Sequence, residues 1–136
     1  MSSLKNSEIG FIDGNEGTKV KQYFHPHNTT NGINYSLAQF TLERGKKSKR
    51  HKMKSSEIYY ILEGSGKLTI TNQSYLLQKD DSAYVPPNAE QFIENSGNGI
   101  LRFLCLVDSI WWNTWKNWKS FLISARKLCA TITWMI

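Results

Sequence analysis

From residue 34 to residue 107 the chain is built of short apolar or alternating runs, each halted by turn chemistry. Residues 35–42 (Tyr-Ser-Leu-Ala-Gln-Phe-Thr-Leu) alternate and give way to Gly45. Residues 57–62 (Glu-Ile-Tyr-Tyr-Ile-Leu) are rich in β-formers and stop at Gly64-Ser65-Gly66. Residues 67–71 follow, up to a turn at Asn72-Gln73, and then come runs at 75–78, 82–85, 91–94 and 100–107. Asp80-Asp81, Pro86-Pro87-Asn88 and residues 95–99 supply the remaining breaks. Short strands separated by Gly, Pro, Asn and Asp clusters, with no helical period among them, predict an all-β sandwich or barrel.

The pattern changes after Asp108. Trp111, Trp115, Trp118, Leu122, Ala125 and Cys129 step by four and three, with lysines mostly between them. That spacing puts them on one face of a helix and predicts a C-terminal amphipathic helix. Three accounts of this tail stand side by side: packing on the protein's own surface or at a dimer contact, an interfacial membrane anchor, and a shift of reading frame that leaves no selected role. Packing on the protein is preferred, because so many exposed tryptophans favour aggregation. Residues up to Gly17 show no period and read as a loosely held lead-in. The expected organisation is a lead-in and edge strand over 1–33, a barrel core over 34–108 and a Trp/Lys-rich helical tail over 109–136.

Composition narrows the class. With 136 residues, 40% hydrophobic and 21% charged, the chain suits one globular domain. Its polar N-terminus has no apolar core of the secretory kind, and no run is long enough to span a bilayer as a helix. The two cysteines, Cys105 and Cys129, read as free thiols in a reducing compartment, so a cytoplasmic protein is expected. The net charge of +6 is concentrated at Lys46, Lys47, Lys49, Arg50, Lys52 and Lys54 and again at Lys116, Lys119, Arg126 and Lys127. No aromatic residues interleave the first cluster and no helix-turn-helix pattern is present, so a solvated charged loop is expected there rather than a nucleic-acid platform.

The candidate chemistry lies in two spaced sets. The first is Gly45, five residues, His51, one residue, Met53, three residues, Glu57, six residues, Gly64. The second is Asp80, five residues, Pro86, one residue, Asn88, two residues, Gln91, three residues, Asn95. His51 and Met53, two apart, would point to the same face of a strand. Glu57 and Gln91 each open a run, so three strand starts can converge four side chains on a barrel mouth. Tyr59 shares the parity of Glu57 and is a candidate for the pocket lining as well as for the core. His25-Pro26-His27 precedes the barrel and reads as a loop.

These spacings resemble the two motifs of the cupin superfamily, in which the first carries His-X-His and Glu and the second carries Pro-X-Gly and a third His. The resemblance covers residues 34–108, and residues 56–64 and 83–88 look especially like small single-domain cupins of prokaryotes. It implies a double-stranded β-helix (jelly-roll) barrel that associates as a homodimer, with a pocket for a small-molecule ligand. It also implies one first-row transition metal (Fe, Mn, Ni, Zn or Cu) held at the positions of His51, Met53, Glu57 and Gln91. Here Met53 and Gln91 stand where the family has histidines. Imidazole, carboxylate and amide oxygen suit a divalent ion, whereas a thioether suits copper(I). Two functional readings remain: a metal-binding cupin acting on a small molecule by an unspecified reaction, and a metal-free cupin that binds or senses an anionic or sugar-like ligand.

Overall fold

The computed structural model describes residues 3–14, 18–26 and 33–108. The expected C-terminal helix, with the tail that contains it, falls outside these residues, as does His27. Among the described residues, ten strands form in chain order after a short 3-10 turn at Asn6–Glu8. They are β1 (Ile12–Asp13), β2 (Thr18–Phe24), β3 (Tyr35–Leu42), β4 (His51–Lys52), β5 (Glu57–Glu63), β6 (Ser65–Ile70), β7 (Gln73–Gln78), β8 (Ser82–Val85), β9 (Glu90–Asn95) and β10 (Leu101–Asp108). The all-β expectation holds, and the strands follow the alternating runs of the sequence to within a residue or two.

Two antiparallel sheets result. One runs β1-β2-β3-β10-β5-β8, the other β4-β9-β6-β7. Alternation decides what lies between them, because successive side chains on a strand leave on opposite faces. On β10, Leu101, Phe103, Cys105 and Val107 are buried, while Arg102 and Leu106 are exposed. On β5, Glu57, Tyr59 and Ile61 are buried, while Ile58 and Tyr60 are exposed. From the facing sheet, Leu68 and Ile93 are fully buried. Burial of each large aliphatic or aromatic side chain contributes about 1.5–3 kcal/mol, which is why this interior seam dominates the stability of the barrel. β2, inside the segment read as lead-in and edge strand, pairs with β3 and places Thr18 and Val20 in the interior.

The tight connection between β5 and β6 depends on Gly64. Its φ is +80°, and a Cβ there would sit 2.3 Å from the carbonyl oxygen of Ile100. Only glycine meets both demands at once, a left-handed backbone and a close approach to a neighbouring chain segment. Asn95 braces the neighbouring loop at the same end of the barrel. Its amide donates to the carbonyls of Leu42 and Gly99, and its oxygen accepts from the Gly97 amide. Among the described residues, no helix is long and apolar enough to cross a membrane.

Candidate functional site

A cavity of about 20 Å³ lies between the two sheets. Sheet one supplies Thr18 from β2, Phe40 from β3, Phe103 and Cys105 from β10, and Glu57 and Tyr59 from β5; His51, Ser48 and Ile93 line the other side. Its apolar wall includes a stacked aromatic column, with ring centroids 5.5 Å apart for Phe40 and Phe103 and 5.4 Å apart for Tyr59 and Phe103. Room for a water molecule begins at about 10–15 Å³, so the cavity takes one water, or one polar atom group of a larger molecule reaching in.

Pairing register explains how these side chains meet. His51 on β4 lies directly opposite Gln91 on β9. Cys105 on β10 lies opposite Tyr59 on β5, and Glu57 lies two residues before Tyr59 on the same inward face. A hydrogen-bonded chain joins them. The Tyr59 hydroxyl donates to Gln91 Oε1 at 2.8 Å, and Gln91 Nε2 donates to Glu57 Oε2 at 2.8 Å. The Cys105 thiol donates to the same carboxylate. Gln91 is 1% exposed and Glu57 is 2% exposed, so the amide is oriented by two buried partners rather than by solvent. On the other side, His51 Nδ1 is 2.7 Å from the carbonyl of Lys49; donating its proton there would leave Nε2 as the basic nitrogen of the neutral ring.

Burial sets the charge state. Loss of hydration pushes the Glu57 carboxyl up to about 7, against which the hydrogen bonds from Cys105 and Gln91 act in the other direction. Burial and the nearby Glu57 carboxylate hold the Tyr59 phenol and the Cys105 thiol well above their ordinary ranges. His51 is lowered by burial, with the Lys49 carbonyl partly offsetting this. Around neutral pH, then, the phenol and the thiol are neutral and the imidazole is biased toward its neutral form. Glu57 is the group in the cavity that exchanges a proton near pH 7.

Of the residues singled out from the sequence, His51, Glu57 and Tyr59 line the cavity, and Gln91 lies just behind them as the link between Tyr59 and Glu57. Met53 is placed differently. β4 stops at Lys52, and Met53 is half-buried against the hydrophobic core, outside the cavity lining. Its backbone carbonyl accepts a hydrogen bond from the Asn88 amide at 2.6 Å, which ties the segment to the Pro86-Pro87 turn. Sequence reasoning gave no site role to Cys105, Ser48 or Thr18. Cys105 had a usable signal in its parity with Phe103 and Val107. Ser48 sits inside a run of cations and Thr18 in a stretch without period, so nothing in the chain marked either.

The donor set does not fit a metal ion. Gln91 Oε1 is occupied by a phenol, the carboxylate of Glu57 by an amide and a thiol, and Met53 lies elsewhere. Among the described residues, no group of three or more His, Cys, Asp and Glu side chains is arranged to hold a metal.

Comparison with known proteins places this architecture. The cupin domain model matches residues 38–107. An uncharacterized protein of Methanocaldococcus jannaschii is 41% identical over 91 residues, covering 66% of this chain and 72% of that protein. The crystal structure of an RmlC-like cupin from Shewanella frigidimarina superposes with a TM-score of 0.70 at 15% identity, covering 80% of this chain and 91% of that one. A predicted oxalate decarboxylase from Thermotoga maritima superposes with a TM-score of 0.68 at 25% identity, covering 79% and 99%.

Proposed function

This chain belongs to the cupin family, and from that premise we propose that its barrel binds a small anionic molecule without a metal, seating one polar group of the ligand among His51, Glu57 and Cys105. The observation that carries the reading is the closed chain from Tyr59 through Gln91 to Glu57, because it uses the donor atoms that a coordinated ion would require. A glutamine brings two N–H donors where a neutral imidazole has one, and here one of them is spent on the carboxylate. The site is therefore organised for hydrogen bonding.

Charge around the site supports an anionic ligand. The segment that ends in His51 contributes Lys46, Lys47, Lys49 and Arg50, and Lys52 and Lys54 follow. Arg50 is paired with Glu90 at 2.7 Å and lies over the Phe92 ring, which anchors the segment against β9. The remaining cations raise the local concentration of anions near the mouth. Inside, protonated Glu57 donates a hydrogen bond to an anionic oxygen, which a carboxylate cannot do. The similar Thermotoga maritima structure is described as a predicted oxalate decarboxylase, a precedent for a small anionic carboxylate in this fold.

The test is elemental analysis of protein purified without chelator, together with thermal melts. Metal well below one ion per chain is expected, with a melting temperature that added Fe, Mn, Ni, Zn or Cu salts leave unmoved. A small carboxylate or phosphate ester should instead raise it, by the equivalent of about 2.7 kcal/mol at a hundred times its Kd. One tightly held metal per chain, with a melting temperature that falls on its removal, would overturn the proposal.

A further inference from the structure

The fold leaves two buried hydroxyls unused. Among the described residues, Ser36 Oγ and Ser55 Oγ are buried with no hydrogen-bond partner. Ser36 is 1% exposed and Ser55 6%. Both lie at one end of the barrel. Ser36 on β3 lies opposite Val107 on β10, and Val107 lies opposite Glu57 on β5, so Ser36 shares the row of Glu57. It also has the parity of Ala38, Phe40 and Leu42, which are buried between the sheets. Ser55 precedes Glu57 by two residues, in the turn from β4 to β5. Its neighbour Ser56 accepts a hydrogen bond from the Asp108 amide, and Asp108 lies opposite Tyr35, so the two serines flank the end of β10 from either side. A hydroxyl buried without a partner is destabilising, and two of them at the same end of one pocket ask for an occupant that satisfies them.

The other end of the barrel is closed by the approach of Gly64 to the Ile100 carbonyl and by the Asn95 amide on Leu42 and Gly99. The cavity has room for one polar group, so the rest of a ligand held at Glu57 extends toward the serine end. Strands lie about 4.8 Å apart, which puts Ser36 about 10 Å from Glu57 between Cα atoms, and two extended residues put Ser55 within about 7 Å. The side chains themselves fill part of both spans, which leaves the length of a short carbon chain. Building on the metal-free anion-binding reading, we infer that Ser36 and Ser55 form the second half of the ligand site. The ligand is then a short hydroxylated carboxylic acid, with its carboxylate among His51, Glu57 and Cys105 and its hydroxyl groups on Ser36 and Ser55. A hydroxyl both donates and accepts, as serine does, so each pair satisfies both partners. A second carboxylate would be desolvated there without compensation, because the row of Ser36 and Glu57 is completed by Val107 and Val85, which offer no charge.

Isothermal titration calorimetry of the full chain with butyrate, 4-hydroxybutyrate, 3,4-dihydroxybutyrate and succinate tests this assignment. Affinity should rise roughly three- to tenfold with each added hydroxyl, as one neutral hydrogen bond is gained. Succinate should bind no more tightly than butyrate. Ser36→Ala and Ser55→Ala should each remove one such factor for the dihydroxy acid and leave butyrate unchanged. Thermal melts without ligand give a second readout. Each alanine variant should melt at or above the wild-type temperature, because the hydroxyl it removes has no partner in the ligand-free barrel. A variant that melts lower yet keeps the wild-type affinity overturns the inference, since that serine then serves the fold. Equal binding of butyrate and its two hydroxylated forms by the wild type overturns it without any variant and leaves the anion-binding reading standing. Failure of all four acids to bind removes that reading and this one with it.

Discussion

Replacing Glu57 with glutamine removes the proton-exchanging group from the barrel interior while keeping the shape and most of the hydrogen bonding. The new side-chain oxygen can still accept from Gln91 Nε2 and from the Cys105 thiol, the two donors that Glu57 engages. What changes is the dependence of stability on pH. The carboxyl is raised from 4.5 to about 7 by burial. Below pH 4.5 it is protonated in both the folded and the unfolded chain and adds no pH dependence. Between 4.5 and about 7 the unfolded chain releases a proton that the folded chain retains, so stability falls as pH rises, and above about 7 the loss is complete. At about 1.4 kcal/mol per pH unit the full loss is about 3 kcal/mol. His51 has the opposite sign. Its folded value is lowered, so its contribution is present above the ordinary 6.5 and is lost as pH falls below it. Urea denaturation of wild type and Glu57→Gln, followed by circular dichroism from pH 4.5 to 8.5, separates the two because His51 is common to both proteins. The variant should match the wild type near pH 4.5 and exceed it by about 3 kcal/mol at pH 8. A difference that stays constant across this range would refute the assignment of a buried, proton-exchanging carboxyl.

Two further outcomes test the frame that holds the site. Gly64→Ala should cost about 2 kcal/mol or more, against about 1 kcal/mol for Gly45→Ala, as read from urea midpoints. Both glycines have positive φ, but a Cβ at Gly64 meets the Ile100 carbonyl at 2.3 Å, whereas Gly45 has open space. In a Cys129→Ser background the Cys105 thiol should resist DTNB at pH 8 in the folded protein and react at once in denaturant, since it is buried and its ionisation is opposed by Glu57.

The strands were legible because each half-buried run alternates, and the pairing of β10 with β3 and β5 preserves that alternation with one irregularity, between Arg102 and Phe103. The same parity marked Glu57 and Tyr59 as neighbours on one inward face. It misplaced Met53, because two-residue parity holds only while the strand continues, and β4 ends at Lys52. The hydrogen-bond acceptor that ends it there, the Met53 carbonyl, is engaged by Asn88 from a distant turn, a contact between segments that no local pattern announces.

Gln91 carries the larger lesson. Spacing alone put it at a ligand position, and in the structure it lies opposite His51 across β4 and β9. Its chemistry depends on the residues around it. An amide between a phenol and a carboxyl is oriented by both: the phenol proton claims its oxygen, which leaves its N–H to face Glu57. Among the described residues, hydrogen bonds from Cys105 and Gln91 offset part of the desolvation of Glu57 and burial outweighs them, so the carboxyl keeps its proton up to about 7. On the reading proposed above, the amide of Gln91 serves a hydrogen-bonded carboxyl where an imidazole would serve a metal. Tyr59→Phe tests the order of this chain. Without the phenol, Gln91 is free to flip and present its oxygen to Glu57, which would further disfavour the carboxylate. The midpoint of the Glu57-dependent stability change should then move to higher pH, and a midpoint that moves lower or stays fixed would show that the phenol does not orient the amide.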